Sequence, residues 1–224
     1  MRTGCYEAMG SVNLDIGAVK IRKLRLPMLK KGNDLKKHAV TRYGSVAQVL
    51  HWVTAVVVLI AFIYGPGGTE KQVYAVAHDF DRQLHETLGL SVLTLVVLRV
   101  LWRMIDTRPE PAPAAPWMAI AAKGVRGALY LLLFALPFTA ITGAWLEGHP
   151  LTLLAGVKIV PLLGVSHGLG ATIATIHTWL GDTILWLAGL HAVAGLFHHY
   201  ILKDNVLVSM LPSWLPFPNR DQGI

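Results

Sequence analysis

The sequence predicts an all-α fold, an integral membrane four-helix bundle. Three observations carry that prediction. Hydrophobic residues make up 54 % of the 224-residue chain and charged residues only 15 %, against roughly 25 % charged in a soluble domain. Four apolar stretches are each long enough to cross a hydrocarbon core of about 30 Å as a helix. The chain is nonetheless basic, with 20 Lys+Arg against 13 Asp+Glu. These charges flank the apolar runs, as in the cytoplasmic loops of membrane proteins, and do not form a nucleic-acid-binding face.

Residues 1–45 form a basic, mixed extension containing Arg22, Lys23, Arg25, Lys30, Lys31, Lys36, Lys37 and Arg42. No short apolar stretch ending in a cleavage site is found there, so the extension is not expected to be a removable signal peptide. The first span runs from Val46 to Tyr64 and stops at Gly65-Pro66-Gly67-Gly68. The second runs from about Leu84 to Met104, followed by the Pro-rich stretch 109–116. The third covers about Val125 to Leu146, with Pro137 as an expected kink. Residues 151–165 are apolar but short and contain Lys158, Pro161 and Gly164, which predicts an interfacial or re-entrant segment. The fourth span, about Ala171 to Leu202, is long enough to tilt. The four-helix transmembrane bundle is thus expected over 46–211, with a short tail at 212–224.

The basic residues orient the bundle. Residues 1–50 carry ten Lys/Arg, 99–126 carry five and the tail carries Lys203 and Arg220; only Lys71, Arg82 and Lys158 fall on the opposite side. This asymmetry predicts that both termini are cytoplasmic.

A single cysteine, Cys5, excludes an intramolecular disulfide, a Cys-x-x-Cys-His haem attachment and an iron–sulfur cluster. No paired carboxylates, nucleophile–base set or Gly-rich phosphate loop is present. The ten histidines carry the chemistry instead, because an ionisable side chain within a membrane span marks a functional site by default. His51 lies near the inner start of span 1 and His85 at the outer start of span 2. His177 and His191 both lie on span 4, fourteen residues apart, about 21 Å along a helix and within about 40° of whole turns. They therefore share one face at two depths. His85 matches His177 on the outer side, and His51 matches His191 on the inner side. Each pair has the chemistry to hold one haem iron axially, which stacks two haems across the bilayer. The residue four positions after each histidine is small: Ala55, Gly89, Gly181 and Gly195. Small residues also serve helix packing, so histidines that hydrogen-bond between helices remain an alternative at this point. Pairs about 21 Å apart cannot build one tetrahedral zinc site. His78, His149 and His167 are expected in solvated outer loops. His198 competes with His191 for the inner role, but Leu202 at its i+4 position crowds a haem face, and its distance from His177 would span about 31 Å.

Five strings, TRYGSVAQVLHWV (41–53), LHETLG (84–89), RVLWR (99–103), IHTWLGD (176–182) and GLHAVAGLFHHYILKDNVL (189–207), resemble the bacterial cytochrome b561 family. The resemblance covers about residues 41–211 and says nothing about the extension. It implies a multi-pass protein of the bacterial inner membrane with two non-covalent b haems, whose iron ligands fall on His51, His85, His177 and His191. It also implies electron transfer in the respiratory membrane between ubiquinone or another quinone and a second, unidentified redox partner, with superoxide a donor in some members. The wider superfamily includes cytochrome b subunits that anchor hydrogenases, so a membrane-anchor subunit of a larger oxidoreductase is the alternative. Membrane lipid and quinone are the expected partners, and nucleic acid is not. Arg42, Tyr43 and Lys203 on the inner side, and Arg82 and Lys158 on the outer, are candidates to meet the haem propionates.

Overall fold

The computed structural model describes residues 42–106, 115–212 and 215. Expectations placed on residues 1–41, most of the Pro-rich stretch and nearly all of the tail lie outside them.

Helix α1 spans Ser45–Ile63 and ends just before Pro66, which has no backbone N–H to continue the helix. A one-turn helix, α2 (Glu70–Val73), begins with a capping box in which the Gln72 side chain accepts from the Thr69 backbone N–H at 2.8 Å. After a short turn at Val76–His78 comes α3, Asp79–Ile105. It starts earlier than the apolar run at Leu84. The polar first turns are accommodated because Arg82 pairs along the helix with Asp79 at 2.7 Å and Glu86 at 3.1 Å. Asp79 and Asp81 also complement the positive end of the helix dipole.

Helix α4, Pro116–Leu146, likewise begins ahead of the apolar run at Val125. Proline fits the first helical position, and Lys123 and Arg126 are good helix formers that lower hydropathy without breaking the helix. Pro137 lies inside α4, which continues through it. The segment read as interfacial or re-entrant is a small antiparallel hairpin: β1 (Leu151–Thr152) pairs with β2 (Lys158–Ile159), Leu151 opposite Ile159. Gly156 turns the chain with φ +74°. The hairpin is pinned to α3, since the Thr152 N–H donates to the Glu86 carboxylate and the Leu154 N–H to Thr87 Oγ1 at 3.0 Å. Helix α5 covers His167–Phe197 and passes into a π turn at His198–Leu202, closed by Lys203 in the left-handed region (φ 55°). Helix α6, Val206–Met210, follows.

Four of these helical runs are long and apolar enough to cross a membrane: Ser45–Ile63, Val76–Ile105, Pro116–Leu146 and His167–Leu202. α1 packs on α3, α3 on α4 and α4 on α5. The core is small, built from Val92, Val96, Leu132, Leu133 and Ile184. Gly143 lets α4 approach α5 closely; a Cβ there would stand 3.4 Å from the Ala174 backbone nitrogen. The large apolar side chains point outward instead, Leu131 being 71 % and Trp186 81 % exposed. Such a surface is stable only against lipid.

Candidate functional site

At the end of the bundle expected to be outer, His85 of α3 meets His177 of α5. Their ring centroids lie 6.0 Å apart, with planes at 89°. Each ring is oriented by the backbone. His85 Nδ1 donates to the Ala61 carbonyl at 2.7 Å. His177 Nδ1 donates to the Leu136 carbonyl at 3.0 Å and lies 3.2 Å from Thr139 Oγ1. Because a carbonyl only accepts, Nδ1 carries the proton in both rings and Nε2 is left as the basic nitrogen. This is how a ligating histidine is held by the groups behind it. His85 reaches the end of α1 because residue 65 is glycine: a Cβ there would meet the His85 ring at 3.3 Å.

At the inner level His51 of α1 faces His191 of α5, with centroids 6.5 Å apart and planes at 81°. His51 Nδ1 is buried without a hydrogen-bond partner among the described residues. His191 is the most open of the four rings. His198 joins neither pair; its Nδ1 bonds the Asp204 carboxylate across the π turn.

Two axial imidazoles opposed through one metal, with bonds of about 2 Å and ring nitrogens about 1.1 Å from the ring centre, place their centroids about 6 Å apart. Both pairs meet that separation. Space beside the outer pair is also kept open: a Cβ added at Gly89 or Gly181 meets nothing within 4 Å, while at the inner level one added at Gly195 meets Leu207 at 3.8 Å. The residues present therefore fit a bis-histidine haem at each level. Among the described residues no three His, Cys, Asp or Glu side chains cluster as a metal site. Filling this space is expected to be selective. Gly181→Leu should leave the helices folded, by circular dichroism, while lowering outer-haem occupancy by at least about half through steric exclusion.

Above the outer pair, α2, the start of α3 and the hairpin region form a polar cap. His149, expected in a solvated loop, stacks on Tyr74 with centroids 3.6 Å apart and bonds Glu70 at 2.7 Å. Arg82 stands 5.1 Å over the other ring of that stack, Tyr74, and is tied to Asp79 and Glu86, so the cation expected to meet an outer propionate is already engaged. His167 is exposed and bonds Glu147. Burial, with help from the Glu86 charge, pushes the Tyr74 phenol up to about 12. The unfolded phenol titrates near about 10, so the folded state holds this proton longer. The associated stability is fully present below about pH 10 and is lost as pH rises toward 12. Thermal stability should therefore fall across that window, and Tyr74→Phe should remove part of the slope.

The sequence pattern missed two features near the inner pair. Arg99 of α3 lies fourteen residues beyond His85, and Arg126 of α4 lies one turn before Tyr130. Arg99 and Arg103 also lie over the Tyr130 ring, at 5.5 and 5.8 Å. Positive-inside counting absorbs these arginines as loop charges; the signal lay in the i,i+4 spacing of Arg99 with Arg103 and of Arg126 with Tyr130.

Comparison with known proteins gives this geometry its context. Residues 42–213 match the sequence pattern of the family described as prokaryotic cytochrome b561. The chain is 30 % identical over 171 residues to "Cytochrome b561 homolog 2" of Escherichia coli (strain K12), covering 76 % of this chain and 91 % of that protein. It is 28 % identical over 181 residues to "Probable superoxide oxidase CybB" of Yersinia pestis, covering 79 % and 97 %. It is 32 % identical over 175 residues to "Cytochrome b562" of Cereibacter sphaeroides, covering 75 % and 94 %. With a match that takes in all four spans, the chain belongs to the prokaryotic cytochrome b561 family, and is a multi-pass bacterial membrane protein of electron transfer from a family that binds b-type haem.

Proposed function

We propose that this protein binds two non-covalent b haems, one between His51 and His191 and one between His85 and His177, and passes electrons between the quinone pool and a second redox partner. The observation that carries the reading is the pair of opposed imidazoles at two depths, 6.5 and 6.0 Å apart. When bound, the haems supply one-electron iron chemistry. The chain's own residues do the rest. The Ala61 and Leu136 carbonyls fix the outer tautomers, and the buried side chains of Val92, Leu133 and Ile184 exclude water between the levels. The apolar, lipid-facing helices give a quinone lateral access. Superoxide is a candidate donor, on the strength of the Yersinia pestis relative's name. In this reading the cytochrome domain is 46–211, flanked by a basic extension at 1–45 and a tail at 212–224, with both termini cytoplasmic. Support for that orientation is the excess of Lys and Arg on one side.

Stopped-flow mixing of the reduced holoprotein with a water-soluble ubiquinone analogue tests the electron-transfer claim. Haem reoxidation at a rate that rises with quinone concentration is expected. Haems that stay reduced would remove quinone as the partner.

A further inference from the structure

Among the described residues the arginines at the inner level have no ion-pair partner. α3 and α5 both run from the outer to the inner side. Arg99 is fourteen residues beyond His85, as His191 is fourteen beyond His177. Since His85 and His177 stand level, Arg99 stands level with His191, within about 40° of the histidine-bearing face of α3; Arg103, eighteen residues beyond His85, completes five turns and lies on that face too. From α4, Arg126 precedes Tyr130 by one turn. Tyr130 lies under both Arg99 and Arg103.

Among the described residues no carboxylate forms an ion pair with Arg99, Arg103 or Arg126. Arg82 at the outer level is the contrast, held by two carboxylates. The acid paired at the inner end, Asp204, is committed to His198. Arg103 is near enough to the helix end to reach water by snorkelling. Arg99 is a turn deeper, and an unpaired guanidinium there is costly unless an anion meets it. The required ligand is therefore an anion with oxygen acceptors that approaches from between α3, α4 and α5, where the inner histidine pair lies.

We propose that Arg99 and Arg126, with Tyr130 bracing Arg99, are the carboxylate-binding residues for the propionates of the haem at His51 and His191. This rests on the two-haem reading above. The guanidinium fork suits a carboxylate bidentately. The other source of the same oxygen-anion chemistry is the phosphate of an anionic lipid headgroup.

The experiment uses the purified full-length holoprotein and its Arg99→Gln, Arg126→Gln and Arg99→Lys variants. They are placed in nanodiscs of phosphatidylcholine alone and of phosphatidylcholine with phosphatidylglycerol. Redox titration reads each haem's midpoint potential, and transfer to apomyoglobin reads haem release. Retention of the outer haem reports that each variant is folded. Both Gln variants should release the inner haem roughly ten to a hundred times faster, lower its potential by removing a positive charge, and leave the outer haem unchanged. Arg99→Lys should recover part of both effects, in either lipid. Inner-haem release and potential unchanged in both Gln variants, or changed only when phosphatidylglycerol is present, would overturn the proposal. His51→Ala separates the two levels of inference. If it loses the inner haem while the Gln variants behave as wild type, the propionate assignment alone fails. If it keeps both haems, the two-haem reading fails and the assignment with it.

Discussion

Replacing either outer histidine should remove one haem and spare the other. His85→Ala and His177→Ala are each expected to lose essentially all of the outer haem and to keep most of the inner one, halving the haem-to-protein ratio. The prediction follows from the geometry of the outer pair. Each ring is fixed by a hydrogen bond to a backbone carbonyl of a neighbouring helix, at 2.7 Å for His85 and 3.0 Å for His177. Alanine removes the ligand and leaves its partner without the one histidine ring that faces it among the described residues. The Ala61 and Leu136 carbonyls also lose a donor, so some loss of thermal stability, about 1 kcal/mol, should accompany it. The inner pair lies about 21 Å away along α5 and shares no hydrogen-bond partner with the outer one. Either variant keeping both haems with unchanged spectra would show the outer pairing to be wrong.

The second large effect distinguishes two histidines on one helix. His191→Ala should abolish the inner haem, and His198→Ala should leave both haems bound. The two positions are seven residues apart, about 10 Å along the helix and about 20° around it, so periodicity alone barely separates them. The structure supplies the distinction. His191 faces His51 at 6.5 Å. His198 is at the start of the π turn, where its ring holds Asp204 and helps form the exit toward α6. His198→Ala should therefore loosen that turn, seen as faster amide exchange at Lys203 to Val206, without changing the spectrum. Loss of a haem in His198→Ala and its retention in His191→Ala would reverse the assignment while keeping two haems.

The four spans were legible in the sequence because lipid imposes length and apolarity on a helix before tertiary packing matters. Their ends were less so. The start of α3 hides behind Asp79, Asp81 and Arg82, whose hydropathy is low until Arg82 is seen to neutralise Asp79 and Glu86 within the helix. The start of α4 hides behind Lys123 and Arg126 in the same way. The hairpin at 151–159 was not legible, because two residues per strand carry no alternation, and its order depends on Glu86 and Thr87 of α3. The histidine faces followed from spacing, since fourteen residues is close to whole turns. Which helix supplies each partner needed the depth argument. The stacking of His149 on Tyr74 and the placement of Arg99 and Arg103 over Tyr130 join distant segments, and no local pattern announces them.

The central claim is two b haems on four histidines. It is tested most directly by a reduced-minus-oxidised absorbance spectrum of the purified protein, taken with a quantitative haem-to-protein ratio. The account predicts b-type, bis-imidazole bands at a ratio near two. A ratio near one, or a protein without haem bands, would contradict it.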